Sequence, residues 1–224
     1  MVVERATAQV LEDSLSSTPH RLIPYAVRTG TRSTLQLLRD NGWNLLVVAG
    51  QKLQTHGFQY ALDNGAWSSF QNGLPFNVHE FEKAVTKLGD NAEFIVVPDI
   101  VEGGLESLRF SESWLPTLDG IGKRRLIAVQ DGMTTADVEP ILSTEIGIFI
   151  GGSTEFKENT MPEWGRVCRD KNAYLHVGRV NSRRRIKLCA TCGVHSFDGS
   201  SVFKFSSTIH RLTAEVRQRS FIFD

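Results

Sequence analysis

The sequence predicts a single-domain α/β protein of the (β/α)8 or TIM-barrel class, and three observations carry that prediction. The chain has 224 residues, and the leanest barrels of this kind run a little above about 200. Eight short β-rich runs alternate with stretches of helical spacing, and Gly, Asp or Asn stands in the loop after most of them. No GxGxxG follows the first run, as the competing open dinucleotide-binding sheet would require.

The runs, in order, are Leu22–Val27, Leu45–Val48, Tyr60–Asp63, Phe94–Pro98, Leu126–Gln130, Ile146–Ile150, Ala173–Val177 and Val194–Asp198. Helical spacing is predicted over Ser33–Asn41, Val78–Leu88, Leu105–Leu118, Thr135–Leu142, Phe156–Asp170, Ser182–Leu188 and Ser207–Arg219. Only the 50–59 connection lacks a clear helix. Parallel neighbours need a crossover, and an eight-strand ring closes on a packed interior, so this alternation reads as a barrel. Residues 1–18 form a leading segment. No low-complexity tract, repeat or linker marks a boundary, so 1–224 reads as one domain.

Composition narrows the function. A hydrophobic fraction of 41% supports a sizeable core, and 25 Lys+Arg balance 25 Asp+Glu. Any affinity for nucleic acid must therefore come from a local patch. No apolar run approaches the ~20 residues of a membrane span. The first residues are charged where a secretory leader would be apolar, and 3 cysteines do not make a disulfide framework. A cytoplasmic protein is expected, without membrane partners.

A barrel places its chemistry at the C-terminal ends of its strands. Those positions read Asp63-Asn64-Gly65-Ala66-Trp67, Pro98-Asp99, Gln130-Asp131-Gly132, Gly151-Gly152, Val177-Gly178-Arg179 and Asp198-Gly199-Ser200-Ser201. Asp and Gly also end strands for reasons of turn chemistry alone. Six such clusters in phase on one rim ask for more than that.

These rim motifs resemble the tRNA-guanine transglycosylase superfamily, whose members exchange guanine for a 7-deazaguanine base on an intact nucleic acid. ALDNGAW puts Asp63, Gly65 and Trp67 where that family has D-S-G-G-F. VVPD supplies Asp99 as the base-reading carboxylate, and IAVQDG supplies Gln130. FIGG gives Gly151 and Gly152, LHVGRV gives Val177 and Gly178, and GVHSFDGSS carries Asp198 in the nucleophile's slot. The match runs in order over residues 60–201. The family's zinc cluster has no counterpart, because no cysteine follows Asp198. The short chain and missing zinc site are similar to compact phage-type relatives that modify DNA.

The resemblance implies a division of labour. Asp198 is the nucleophile that forms a covalent glycosyl-enzyme, helped by the N–H groups of the Gly199-Ser200-Ser201 turn. Asp63 is the general acid/base, a task that suits a raised pKa. Asp99 accepts hydrogen bonds from the base's N1–H and amine. Gln130 and the Gly151 N–H meet its carbonyl edge, Gly152, Val177 and Gly178 approach it, and Trp67 either stacks on the ring or fills the core. A phosphate grip is expected in the run from Lys171 to Phe197, which has six basic and no acidic residues: Lys171, Arg179, Arg183, Arg184, Arg185 and Lys187. The bland reading of that run is a solvated helix face.

Cys189-Ala-Thr-Cys192, with His195 and Cys168, has some metal-ligand spacing. Two buried small side chains at a helix end explain it more simply, so neither zinc nor another cofactor is expected. The leading expectation is a DNA-guanine transglycosylase that takes a 7-deazaguanine base such as 7-cyano-7-deazaguanine. The alternatives are the same exchange on tRNA, a base-excising N-glycosidase, and a non-catalytic nucleic-acid-binding barrel.

Overall fold

A computed structural model describes residues 22–27, 30–199 and 213–214. Eight strands close a parallel barrel in sequence order. They are β1 Ile23–Ala26, β2 Asn44–Val48, β3 Tyr60–Asp63, β4 Ile95–Val96, β5 Arg125–Val129, β6 Ile146–Ile150, β7 Leu175–Val177 and β8 Ser196–Asp198. The ring closes where Tyr25 of β1 pairs with Asp198 of β8. All eight predicted strands are present; β4 is trimmed because only two residues keep ladder geometry before Pro98.

The helices are α1 Arg32–Asp40, α2 Ala66–Gln71, α3 Val78–Leu88, α4 Gly104–Trp114, α5 Thr135–Val138, α6 Thr154–Asp170 and α7 Arg183–Thr191. Local chemistry starts several of them. Thr31, Asn77, Ser153 and Ser182 cap α1, α3, α6 and α7 by accepting a backbone N–H three residues on. Two predicted helices are shorter than their spacing suggests. Pro116 and Pro140 end α4 and α5 in 3-10 turns, since proline cannot continue the ladder. The short α2 has no counterpart among the predicted helices, because Ala66–Gln71 holds little more than one turn. The 50–59 connection carries no helix. The predicted helix over Ser207–Arg219 falls outside the described residues except for Thr213 and Ala214, where Thr213 Oγ accepts the Trp43 indole N–H at 2.9 Å.

Alternation along the strands sorts side chains into two cores. Tyr25, Leu46, Ala61, Phe94, Val96, Leu126 and Ala128 fill the barrel, with Phe149 and Tyr174 packed against them. Leu45, Val47, Leu62, Ile127, Ile148, Leu175 and Phe197 point outward to the helix layer. At the N-terminal face, Arg125 is only 5% exposed and bonds Glu145 at 2.7 Å. That face serves stability and leaves the C-terminal rim for chemistry.

α6 and the turn after α7 pack at backbone distance. A Cβ at Gly165 would lie 2.0 Å from the Cys192 carbonyl oxygen. Alanine ordinarily stabilises a mid-helix glycine site by up to about 1 kcal/mol. Here the sign should reverse: Gly165→Ala is expected to cost about 1–3 kcal/mol in chemical denaturation, as overpacking does. An equally stable variant would show that the two segments do not pack this tightly.

Candidate active site at the C-terminal rim

The β3 end is shaped by its own side chains. Asp63 Oδ1 accepts the Gly65 N–H and Asn64 Oδ1 accepts the Ala66 N–H, each at 2.8 Å, forming two overlapping turns. Gly65 has φ 81, and a Cβ there would sit 2.6 Å from the Ala49 carbonyl oxygen, so glycine is required. Asn64 is buried and reaches across to β4, donating to the Val97 carbonyl at 2.7 Å and to Asp99 Oδ1 at 2.8 Å. It therefore aims Asp99, a role that sequence reading misses. An asparagine inside a turn motif looks like turn chemistry alone.

Asp63 and Asp99 are each partly buried at the C-terminal ends of the neighbouring strands β3 and β4. Burial pushes Asp63 up from 3.8 to about 7; the Gly65 N–H opposes this, and the Asp198 and Asp99 carboxylates add to it. Burial likewise raises Asp99 to about 6, against its bond from Asn64. Asp63 feels the charge of both other carboxylates, so the three share one neighbourhood on one rim.

Asp198 is 4% exposed. Its Oδ1 accepts the Arg179 backbone N–H at 3.1 Å, and its Oδ2 lies 3.2 Å from His176 Nε2. His176 is wholly buried, stacked on Phe149 at 4.9 Å between ring centroids. Burial lowers its pKa, opposed by Asp198, so the ring is neutral. A neutral ring that donates Nε2–H to Asp198 must accept at Nδ1, and the Ser196 hydroxyl stands there at 2.7 Å. Gly178 lets the backbone close on this carboxylate; a Cβ would meet Phe149 Cζ at 2.8 Å and Asp198 Oδ2 at 3.4 Å. Beneath the loop, Lys157 is buried and donates to the Gly178 carbonyl at 2.9 Å. Burial, then the charge of Arg179, brings its ammonium down to about 8. His176 and Lys157 do not stand out in the sequence, since strand register turns His176 toward Asp198 and helix packing sends Lys157 to the Gly178 carbonyl.

Several expected ligands are placed differently. Gln130 is 5% exposed and engaged at both ends, accepting the Glu102 N–H at 2.6 Å and donating to the Ile100 carbonyl at 2.8 Å. It braces the loop after β4 instead of meeting a base. The Gly151 N–H is spent on the Val129 carbonyl at 2.8 Å in the ladder. Val177 faces the outer core, so only its backbone reaches the rim. Trp67 is 40% exposed, which removes the core alternative. Gly152 stays at the rim, where its carbonyl accepts from the Arg179 guanidinium at 2.7 Å. Ser200 and Ser201 lie outside the described residues; the Arg179 N–H supplies the donor expected of their turn.

The basic run is also less bare than its sequence. Glu158 of α6 binds both Arg184 and Arg185, and Glu139 sits 3.4 Å from Lys171. The acids come from other elements, which a count along the run cannot see. Arg183 and Lys187 are exposed on α7. Cys168, Cys189 and Cys192 are buried free thiols; burial pushes Cys168 up to about 12 and raises the other two. His195 Nδ1 accepts the Leu175 N–H at 3.1 Å. Among the described residues no group of three or more His, Cys, Asp or Glu could hold a metal ion. No helix among them is long and apolar enough to cross a membrane.

Two clefts open on this rim, and none of Asp63, Asp99 and Asp198 lines either of them. One of about 350 Å3 lies past the ends of β1 and β2, lined by Val27, Gly30, Val48, Lys52 and His56 among others. The second, about 180 Å3, touches Asn64, Gly65, Asn72 and Glu80.

No protein-family model matches the chain, and no curated protein matches it. Solved structures do resemble it. The 4-hydroxy-2-oxoglutarate aldolase/2-deydro-3-deoxyphosphogluconate aldolase from TTHB1 has TM-score 0.52 at 16% identity, over 92% of this chain and 96% of that one. A tryptophan synthase chain from M. tuberculosis has TM-score 0.52 at 12% identity, over 92% and 95%. At such identities the likeness establishes the (β/α)8 fold and leaves the reaction to the site.

The raised Asp63 has a measurable consequence. Between about pH 4 and about pH 7 the folded protein keeps a proton that the unfolded chain has lost, so this group's contribution to stability falls as pH rises. The full effect is on the order of 4 kcal/mol at most, since each tenfold change in proton affinity is worth about 1.4 kcal/mol. Asp63→Asn keeps an acceptor for the Gly65 N–H and removes the charge. It should be more stable than wild type at about pH 8 and converge with it toward about pH 4 in denaturant titrations. A pH-independent difference would mean Asp63 is not held protonated.

Proposed function

We propose that the protein is an enzyme, a DNA-guanine transglycosylase that exchanges guanine for a 7-deazaguanine base. The observation that carries this reading is a pair of carboxyl groups on one rim in different settings. Asp63 is held protonated near neutrality, and Asp198 is braced by an N–H and an imidazole. The ordered motifs over residues 60–201 support the same assignment.

In the proposed reaction an Asp198 oxygen attacks C1′ of the target nucleotide as the C1′–N9 bond breaks, giving a covalent glycosyl-enzyme. Asp63 gives its proton to the departing guanine. The incoming 7-deazaguanine then returns a proton to Asp63 as its ring nitrogen bonds C1′ and releases Asp198. Atoms and charge balance, and no cofactor is needed. Asp99, aimed by Asn64, accepts from the base's N1–H and amine. A base inside a duplex cannot reach such a rim, so the nucleotide must be flipped out or single-stranded. Arg183, Arg184, Arg185 and Lys187 on α7 are the phosphate grip. Arg184 is exposed and can exchange Glu158 for phosphate at little cost, because surface ion pairs contribute only about 0–1 kcal/mol.

The test is mass spectrometry of nucleosides from DNA incubated with the protein and 7-cyano-7-deazaguanine, with tRNA in parallel. Asp198→Asn should abolish incorporation, and Asp63→Asn should lower it by about 10²–10⁴-fold. Wild-type incorporation should decline above about pH 7 as Asp63 loses its proton. Free guanine released without incorporation would make the protein a base-excising glycosidase, and incorporation only into tRNA would move the substrate. Undiminished incorporation by Asp198→Asn would end the proposed mechanism. Replacing Arg183, Arg184 and Arg185 together with Ala should reduce the salt slope of DNA binding by about one for each phosphate no longer held.

A further inference from the structure

In a closed ring of eight strands, β3 and β7 face each other across the barrel. Trp67 stands in the first turn after β3 and Arg179 follows β7. Even so, the Arg179 guanidinium lies 4.4 Å from the centre of the Trp67 indole. That contact therefore joins opposite sides of the rim that carries Asp63, Asp99 and Asp198. The guanidinium is also tied to the Gly152 carbonyl after β6 at 2.7 Å. The clefts found on this rim are not lined by the three carboxylates, and burial is the largest influence on both Asp63 and Asp99.

We infer that Arg179 and Trp67 form a bar over the three carboxylates, and that a single-stranded phosphodiester opens it by taking the guanidinium and stacking its base on Trp67. This rests on the nucleic-acid reading above and adds a binding site outside the reacting nucleotide's own pocket. Three features point to that ligand. Arg179 is exposed and cationic, and a charge-assisted bond to phosphate outcompetes a cation–π contact on an exposed ring. Trp67 stacks on Phe70 with centroids 5.8 Å apart and planes at 29°, and the two rings are 40% and 43% exposed. Paired exposed aromatics beside a guanidinium form the platform on which unpaired bases stack.

The third feature is the backbone of Arg179, which has φ 58, a left-handed conformation that is uncommon outside glycine and gathers at functional sites. Its N–H is the one that serves Asp198 Oδ1. The residue whose side chain the phosphate captures thus also supports the nucleophile. Opening the mouth and adjusting the carboxylate fall to one residue.

The experiment has two arms. In the first, free protein is treated with a water-soluble carbodiimide and an amine, and modified carboxyls are mapped by peptide mass spectrometry. Arg179→Ala and Trp67→Ala should each label Asp63 and Asp99 several-fold faster than wild type. Unchanged labelling in both variants overturns the bar, whatever reaction the protein performs. In the second, a fluorescently tagged single-stranded oligodeoxynucleotide reports binding by polarisation, while tryptophan emission reports Trp67. Binding should change the emission in wild type but not in Trp67→Phe, and Arg179→Ala should weaken binding. Binding with no Trp67 response rejects the stacking site alone. Absence of binding rejects the nucleic-acid reading as well, and faster labelling in the variants would then leave the bar without this ligand.

Discussion

A carboxylate buried at the closing seam of the barrel is the constraint on which this architecture turns. Asp198 sits at the register where β8 meets β1, opposite Tyr25. A carboxyl group so placed must be matched by hydrogen-bond partners, because buried polar groups left unpaired are costly. Strand β7 supplies them: its end bends so that the Arg179 N–H points at the carboxylate, and His176 reaches it from inside. Asp198 itself sets the tautomer of that imidazole and the Ser196 hydroxyl accommodates it, Phe149 stacks on its plane, and Lys157 holds the loop from below. The supports come from β6, α6, β7 and β8, so these elements must come together before the site exists.

The opposite half of the rim follows another logic. For Asp63 and Asp99 burial outweighs every other influence and no cation is among them, so both hold their protons more tightly than an ordinary carboxylate. One rim therefore holds acids of contrasting character. The proposed exchange would use that contrast, one group to attack and one to carry a proton.

The fold is legible in the sequence because its signals are local and repeated. Eight β-rich runs appear at the expected places, and the helix-free 50–59 connection can be read from the absence of periodicity. Helix ends at Pro116 and Pro140 are less legible, since spacing continues through residues that the backbone ladder cannot use. In the site, the three aspartates and the rim glycines are readable from turn-like motifs. His176 and Lys157 are not, because which face of β7 turns inward and where α6 sends a lysine are settled by packing. Gln130 and Gly151 are overread for the same reason: their polar groups are consumed by neighbours distant in sequence. Trp67 belongs to both classes, its place after β3 foreseen and its partner across the ring not.

The close backbone approaches around the carboxylates carry an evolutionary consequence. One added methyl at Gly65 would collide with the strand beside it, and at Gly178 it would press on a phenylalanine ring and the acid itself. Descendants of this sequence are thus barred from exploring those positions while the scaffold persists. Trp67 and Phe70 are partly exposed and meet side chains rather than backbone. Divergence among relatives should accumulate there first, changing what the rim welcomes long before it changes what the acids beneath can do.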